Sequence, residues 1–191
     1  MLTVFVTGLI GSGKSAVCAL LSSRGIPVYD SDSRTKGLYS SVPGLKDRIE
    51  TELGVPFSGL AKLIFNDSQA RERLESIVYP LVRKDFEAWR EEQSGVPFVV
   101  LESAVILSKP VFEGLSDAVV AVTAPEDVRL SRIIKRGVAP DDAVSRIAAQ
   151  TIDLSRADVI IDNTGTVQEL YALVDDVFFA KNSYICKLEN K

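Results

Sequence analysis

The sequence contains no histidine, and it has only two cysteines and one tryptophan. Without histidine the chain cannot form a Ser-His-Asp or Cys-His catalytic site, or a metal site with imidazole ligands. Acid–base chemistry must therefore use carboxylates, lysine or tyrosine. Cys18 and Cys186 match no metal-binding or disulfide spacing, which predicts two unrelated thiols in a reducing compartment.

An excess of positive charge is also lacking, because 22 Lys and Arg stand against 26 Asp and Glu for a formal net charge of -4. This balance disfavours a nucleic-acid partner, since a phosphate backbone needs a broad positive surface. No apolar run approaches the roughly 20 residues that span a bilayer, and no Lys or Arg precedes the N-terminal apolar stretch as in a signal peptide. We therefore expect a cytoplasmic protein with no membrane partner. A monomer or weak homo-oligomer is expected, although no sequence feature specifies the oligomeric state.

Short β-rich runs alternate with longer helical patterns, which is typical of helices packed on a mostly parallel sheet. Strands are predicted at residues 2–7, 27–29, 97–101, 118–122 and 158–161. Helices are predicted at residues 14–23, 69–92, 125–136 and 140–150. Pro80 lies within the second helical segment, which predicts either one bent helix or two helices.

These elements predict a single α/β domain with three layers, α/β/α, around a five-stranded parallel sheet. Its core is expected at residues 1–32, 93–135 and 151–180. Residues 33–92 contain no predicted strand, so they should form a helical insertion, and residues 136–150 should form a lid. The tail, residues 178–191, is predicted either as a docking helix or as a frayed end.

The run GLIGSGKS at residues 8–15 fits the P-loop pattern G-x-x-x-x-G-K-[ST], with a strand before it and a helix after it. Glycines allow backbone N–H groups to surround phosphate oxygens at a helix N-terminus. Lys14 is expected to reach the β- and γ-phosphates, and Ser15 to coordinate Mg²⁺. The alternative is a glycine-rich turn of another kind with a solvated Lys14. The predicted nucleotide-binding residues are Gly8, Gly11, Ser12, Gly13, Lys14, Ser15 and Ala16.

Two carboxylates follow the second predicted strand in the run YDSDS, and the base-reading N-K-x-D of GTPases is absent. Ligands of open α/β sheets bind at such strand ends. Asp32 is the predicted base that receives a proton from an acceptor hydroxyl. The two carboxylates could instead complete the water shell of a metal. For both Asp30 and Asp32, a further alternative is a turn or a helix N-cap.

Two further runs carry candidate residues. VPFVVLES ends a strand at Glu102, which either holds a metal-bound water opposite the P-loop or caps the following segment. RLSRIIKRG gathers basic residues on one helix, and Arg136 at its end is the best candidate to stabilise a transferring phosphoryl group. Arg129 and Arg132 are expected to form a solvated face.

Together these motifs resemble the dephospho-CoA kinase family over nearly the whole chain. The family's loop is similar to GLIGSGKS, its V-x-D-A-D to VYDSD, and its I-F-x-[DN] to IFND. Its H-P-L triplet corresponds to YPL, its R-I-x-x-Q to residues 146–150, and its A-D-x-V-I-D-N to ADVIIDN. Tyr79 thus stands where the family triplet has histidine, and ESAVIL at residues 102–107 replaces the family's P-L-L-F-E.

The resemblance implies ATP-dependent phosphorylation of the ribose 3′-hydroxyl of dephospho-CoA. It implies ATP on the P-loop, Asp32 near the acceptor hydroxyl, Arg136 in the lid and Asn163 near adenine. Tyr79 and Glu102 join Asp32 as predicted acceptor-binding residues. Two alternatives are a kinase for another small acceptor, such as shikimate or a nucleoside monophosphate, and a nucleotide-binding regulator without transfer activity.

Overall fold

The computed structural model describes residues 1–189. They divide into two compact units. The first unit comprises Met1–Tyr29 and the described residues from Gln93 onward, and the second comprises Asp30–Glu92. The second unit begins three residues before the predicted insertion, residues 33–92, and ends at the same residue.

A five-stranded parallel sheet lies at the centre of the first unit, as predicted. Its order is β2-β3-β1-β4-β5. Each predicted strand is confirmed, with bounds that shift by at most one residue at either end. The strands are β1 Leu2–Thr7, β2 Val28–Asp30, β3 Phe98–Glu102, β4 Ala118–Thr123 and β5 Val159–Asp162. The central strand, β1, pairs with both β3 and β4.

The helices are α1 Lys14–Ser23, α2 Ser31–Ser41, α3 Leu45–Leu53, α4 Leu60–Asn66, α5 Ser68–Glu91, α6 Glu126–Lys135, α7 Pro140–Ala148, α8 Val167–Phe178 and α9 Tyr184–Glu189. Within residues 1–189, every helix is too short or too polar to cross a membrane. Cys18 is buried and Cys186 is partly buried, and no disulfide bond joins these two described residues.

The core of the first unit joins the sheet to α1, α8 and α9. Phe98 of β3 stacks on Phe178 of α8, with ring centroids 5.8 Å apart. Each fully buried side chain of this size contributes roughly 1.5–3 kcal/mol. Ile185 of α9 is completely buried in the same cluster. The described part of the tail is therefore a docked helix, whereas residues 190 and 191 lie outside the described residues.

The second unit is built from α2, α3, α4 and α5. Asp30 is the N-cap of α2, because its side chain accepts hydrogen bonds from the backbone N–H groups of Asp32 and Ser33. The helix α5 continues through Pro80 as a single element. Proline removes one backbone hydrogen bond, but the buried apolar face on both sides of it packs the helix in place. That face includes Leu74, Ile77, Val78, Val82 and Phe86.

Candidate active site

The P-loop connects β1 to α1 at the carboxyl edge of the sheet, where ligands of open α/β folds bind. Gly8, Gly11 and Gly13 have φ values of 146°, 80° and 110°. These values disfavour residues with a Cβ, so the glycines give the loop the curvature of a phosphate cradle. The backbone N–H of Ser12 donates to the Leu9 carbonyl at 3.1 Å, which closes the turn.

Lys14 and Ser15 begin α1 next to the end of β3. The Nζ of Lys14 donates to the Gly8 carbonyl at 2.8 Å. The Oγ of Ser15 donates to Oε1 of Glu102 at 3.3 Å. Parallel pairing of Val6 with Glu102 brings that carboxylate beside the loop. A hydroxyl oxygen and a carboxylate oxygen at this separation are donors that fit Mg²⁺.

Asn163 lies directly after β5, and its side chain is hydrogen-bonded to the P-loop. Its side chain is 5% exposed, and its Nδ2 donates to the Ser12 carbonyl at 2.7 Å. Its Oδ1 accepts a hydrogen bond from Nη2 of Arg132 at 3.3 Å. The structure thus assigns Asn163 a loop-supporting contact, and the adenine contact stays a prediction.

Arg132 of α6 faces the P-loop, so its predicted place on a solvated helix face is wrong. Its Nη1 donates to the carbonyls of Gly11 and Ser12 at 3.4 and 3.3 Å. Its Nη2 donates to the Asn163 carbonyl at 3.0 Å. A cation that holds these carbonyls leaves the opposite, N–H-bearing side of the loop for an anion.

Arg129 is buried, and its predicted solvent exposure is therefore also wrong. Its side chain is 7% exposed, and the nearest carboxylate oxygen in an ion pair is Oε2 of Glu126 at 3.9 Å. Nε and Nη1 have no hydrogen-bond partner. The backbone and Cβ of Arg129 lie against Gly11, where an added Cβ would come within 3.1 Å of three Arg129 atoms.

Replacing Arg129 by methionine should stabilise the chain, because burial of a poorly paired charge costs more than burial of an apolar side chain. We expect a gain of about 1 kcal/mol, or roughly 2–4 °C in the melting temperature. Differential scanning calorimetry of the wild type and of Arg129→Met measures this shift in melting temperature. The matched control is Arg132→Met, which loses four hydrogen bonds and should lower the melting temperature. A lower melting temperature for Arg129→Met than for the wild type would contradict the prediction, because it would show that the buried guanidinium makes stabilising interactions.

Arg136 is the C-cap of α6, and its side chain is exposed. Its backbone N–H donates to the Ile133 carbonyl at 3.1 Å, which ends the helix at this residue. The next residue, Gly137, has a φ of 90° and turns the chain towards α7. Within the described residues, the guanidinium of Arg136 makes no hydrogen bond or ion pair with another side chain. Its contact with a phosphoryl group stays a prediction.

The second unit contains a cleft of about 330 Å³ that brings Asp32 and Tyr79 together. Lys36 and Arg71 also line it. Burial raises the pKa of Tyr79, and the charge of Glu75 together with its 3.3 Å contact to the phenol raises it further. Tyr79 is therefore a neutral hydroxyl at physiological pH.

Asp30 does not belong to this cleft lining, and the N-cap alternative for it is confirmed. Burial alone would raise the pKa of Asp30. Hydrogen bonds from Ser33 and Asp32 and the charge of Lys36 outweigh it and hold the pKa below its usual range. Asp30 is therefore a structural carboxylate, and Asp32 is the candidate for proton transfer.

Comparison with known proteins agrees with this geometry. The family model described as CoaE, dephospho-CoA kinase, matches residues 2–169. A curated dephospho-CoA kinase of Frankia casuarinae is 36% identical over 190 residues, covering 93% of this chain and 82% of the relative. A second, from Porphyromonas gingivalis, is 36% identical over 173 residues, covering 86% of this chain and 85% of the relative.

Solved structures show the same fold. The Thermus thermophilus protein TT1252 has a TM-score of 0.77 at 31% identity, with 89% of this chain and 92% of that chain covered. The dephospho-CoA kinase of Campylobacter jejuni has a TM-score of 0.59 at 23% identity, with 90% and 92% covered. The second likeness supports the fold alone.

Proposed function

Because the chain belongs to the dephospho-CoA kinase family, we propose that it transfers the γ-phosphoryl group of ATP to the ribose 3′-hydroxyl of dephospho-CoA. The products are coenzyme A and ADP, and the reaction is the last step of coenzyme A synthesis. The observation that carries the proposal is an intact P-loop cradle in a chain matched by the family model over residues 2–169.

The P-loop side of the reaction follows from the first unit. Backbone N–H groups of the predicted nucleotide-binding loop residues, a set that excludes Ile10, surround the phosphates, and Lys14 neutralises charge on the β- and γ-phosphates. Ser15 and Glu102 are the residues that would hold Mg²⁺, which would supply positive charge against the phosphate oxygens. Arg136 adds a cation where negative charge develops during transfer.

The acceptor side follows from the second unit. Asp32 accepts the proton of the 3′-hydroxyl, whose oxygen forms a bond to the γ-phosphorus as the bond to the bridging oxygen of ADP breaks. Tyr79 offers a neutral hydroxyl in the same cleft, which does not change charge between pH 5 and 8. Its hydrogen is donated to Oε1 of Glu75, so its oxygen accepts a hydrogen bond from the phosphoryl acceptor. The absence of histidine excludes an imidazole base, and Asp32 is the predicted base among the groups that line the cleft.

The test is an incubation of the purified chain with ATP, Mg²⁺ and dephospho-CoA, with mass spectrometry of the acceptor. We expect one added phosphoryl group on dephospho-CoA. Shikimate and nucleoside monophosphates, run in parallel, should stay unchanged, and an excess of EDTA should stop the reaction.

Transfer to shikimate or to a nucleoside monophosphate, but not to dephospho-CoA, would reassign the acceptor. ATP binding without transfer to any acceptor would refute the kinase activity and favour a nucleotide-binding regulator.

A further inference from the structure

Gln150 reaches from the end of α7 to the P-loop. Its Oε1 accepts a hydrogen bond from the backbone N–H of Ile10 at 2.7 Å. The backbone of Gln150 is fixed as well, because its N–H donates to the Ile147 carbonyl at 3.2 Å. A backbone N–H only donates, so the Gln150 atom that meets it is the amide oxygen.

The side chain of Ile10 is held by the same part of the chain. It packs against a cluster of buried apolar residues from α6 and α7, namely Ile133, Ala143 and Ile147. The P-loop residue Ile10 is therefore held twice, through its backbone by Gln150 just after α7 and through its side chain by the α6–α7 helix pair.

The next two loop residues contact the same helix pair. Arg132 of α6 donates to the carbonyls of Gly11 and Ser12. Three consecutive residues of the loop thus each have one backbone polar group bound by a side chain. Ile10 is bound by Gln150, two residues after α7, and Gly11 and Ser12 are bound by Arg132 of α6. A loop fixed in this way needs little further ordering when a phosphate chain binds, and such preorganisation raises affinity.

We propose that Gln150 is a positioning residue of the nucleotide site, which couples the α6–α7 pair to the phosphate cradle through the N–H of Ile10. The inference rests on the proposed function, since the P-loop must bind a nucleotide for its preorganisation to matter. Removal of the Gln150 amide oxygen leaves the Ile10 N–H without its hydrogen-bond partner at a partly buried position. If the loop shifts so that this N–H can bond to another group, the shape of the phosphate cradle changes.

The test variant is Gln150→Met, which keeps the length of the side chain and removes the amide oxygen that accepts the hydrogen bond from Ile10. Amide exchange at Ile10, followed by NMR of the full chain, should speed up about 10-fold. The dissociation constant of ADP, measured by calorimetry, should rise by a similar factor. The KM for ATP should rise together with the ADP dissociation constant, whereas the KM for the phosphoryl acceptor, dephospho-CoA, should stay within about twofold of the wild-type value.

Two further variants separate this role from a general loss of stability. Gln168→Met changes an exposed glutamine of α8 and should leave both readouts unchanged. Gln150→Glu retains an acceptor at the same distance, so the exchange rate of the Ile10 amide should stay near that of the wild type.

An unchanged exchange rate at Ile10, or an unchanged ADP affinity, in Gln150→Met would overturn the inference while the proposed function stands. Loss of Ile10 protection in Gln150→Glu as well would also overturn it, because the acceptor would then not be the cause. A wild-type chain that binds no ADP would refute the proposed function and this inference together.

Discussion

Replacing Lys14 by methionine should reduce phosphoryl transfer about 10³-fold, as expected when one preorganised positive group is removed from a site of developing charge. Lys14 is the first residue of α1, and its Nζ donates a hydrogen bond to the Gly8 carbonyl at the start of the loop. From this position an ammonium group can exchange one carbonyl contact for phosphate oxygens. Rates measured by mass spectrometry at saturating ATP should therefore fall, because the loss is greater in the transition state than in the ground state.

The matched control for this variant is Lys135→Met, which removes an exposed lysine at the end of α6. It should keep the wild-type rate within about twofold, since a solvated charge outside the site contributes little. Lys14→Arg distinguishes charge from shape, because guanidinium is planar and larger than ammonium. A Lys14→Met chain with a wild-type rate would show that the lysine is only a surface cation beside the loop.

The sheet and the P-loop could be predicted from the sequence because both have strong local signals. Buried parallel strands are continuous apolar runs, and all five lie within one residue of their expected bounds at each end. The P-loop pattern specifies glycines at fixed spacing, and those glycines do have positive φ. The two carboxylates of YDSDS were harder to separate, because an N-cap and a catalytic base look alike in sequence.

The surroundings of the loop could not be predicted, because they depend on contacts between distant parts of the chain. Arg129 and Arg132 lie on the polar side of an amphipathic helix, and sequence alone places that side in water. The structure places the P-loop there instead. Gln150 was recognised only as part of a family motif, and nothing in its neighbours along the chain indicates Ile10 as its partner. Pro80 shows the converse, since packing keeps α5 continuous through a residue that breaks helices locally.

Replacing Gly8 by alanine should lower the free energy of unfolding more than any other substitution proposed for this chain. Its φ of 146° strains any residue with a side chain, and an added Cβ would lie 2.2 Å from the Val122 carbonyl oxygen and 2.8 Å from the Ser12 Oγ. The first of these atoms belongs to the backbone of β4, which is buried and paired on both sides, so it cannot move aside cheaply. We expect a loss of about 3–4 kcal/mol, from backbone strain and overpacking together.

Urea denaturation followed by circular dichroism measures this loss against two glycines that isolate its causes. Gly25 also has a positive φ, 81°, but an added Cβ would meet nothing within 4 Å. Gly25→Ala therefore reports backbone strain alone, at about 1–2 kcal/mol. Gly37 lies in α2 with open space around it, so Gly37→Ala should stabilise the chain by up to about 1 kcal/mol. If Gly8→Ala costs no more than Gly25→Ala, then β4 yields to the methyl group, and the tight fit of the loop against the sheet is not what fixes the cradle.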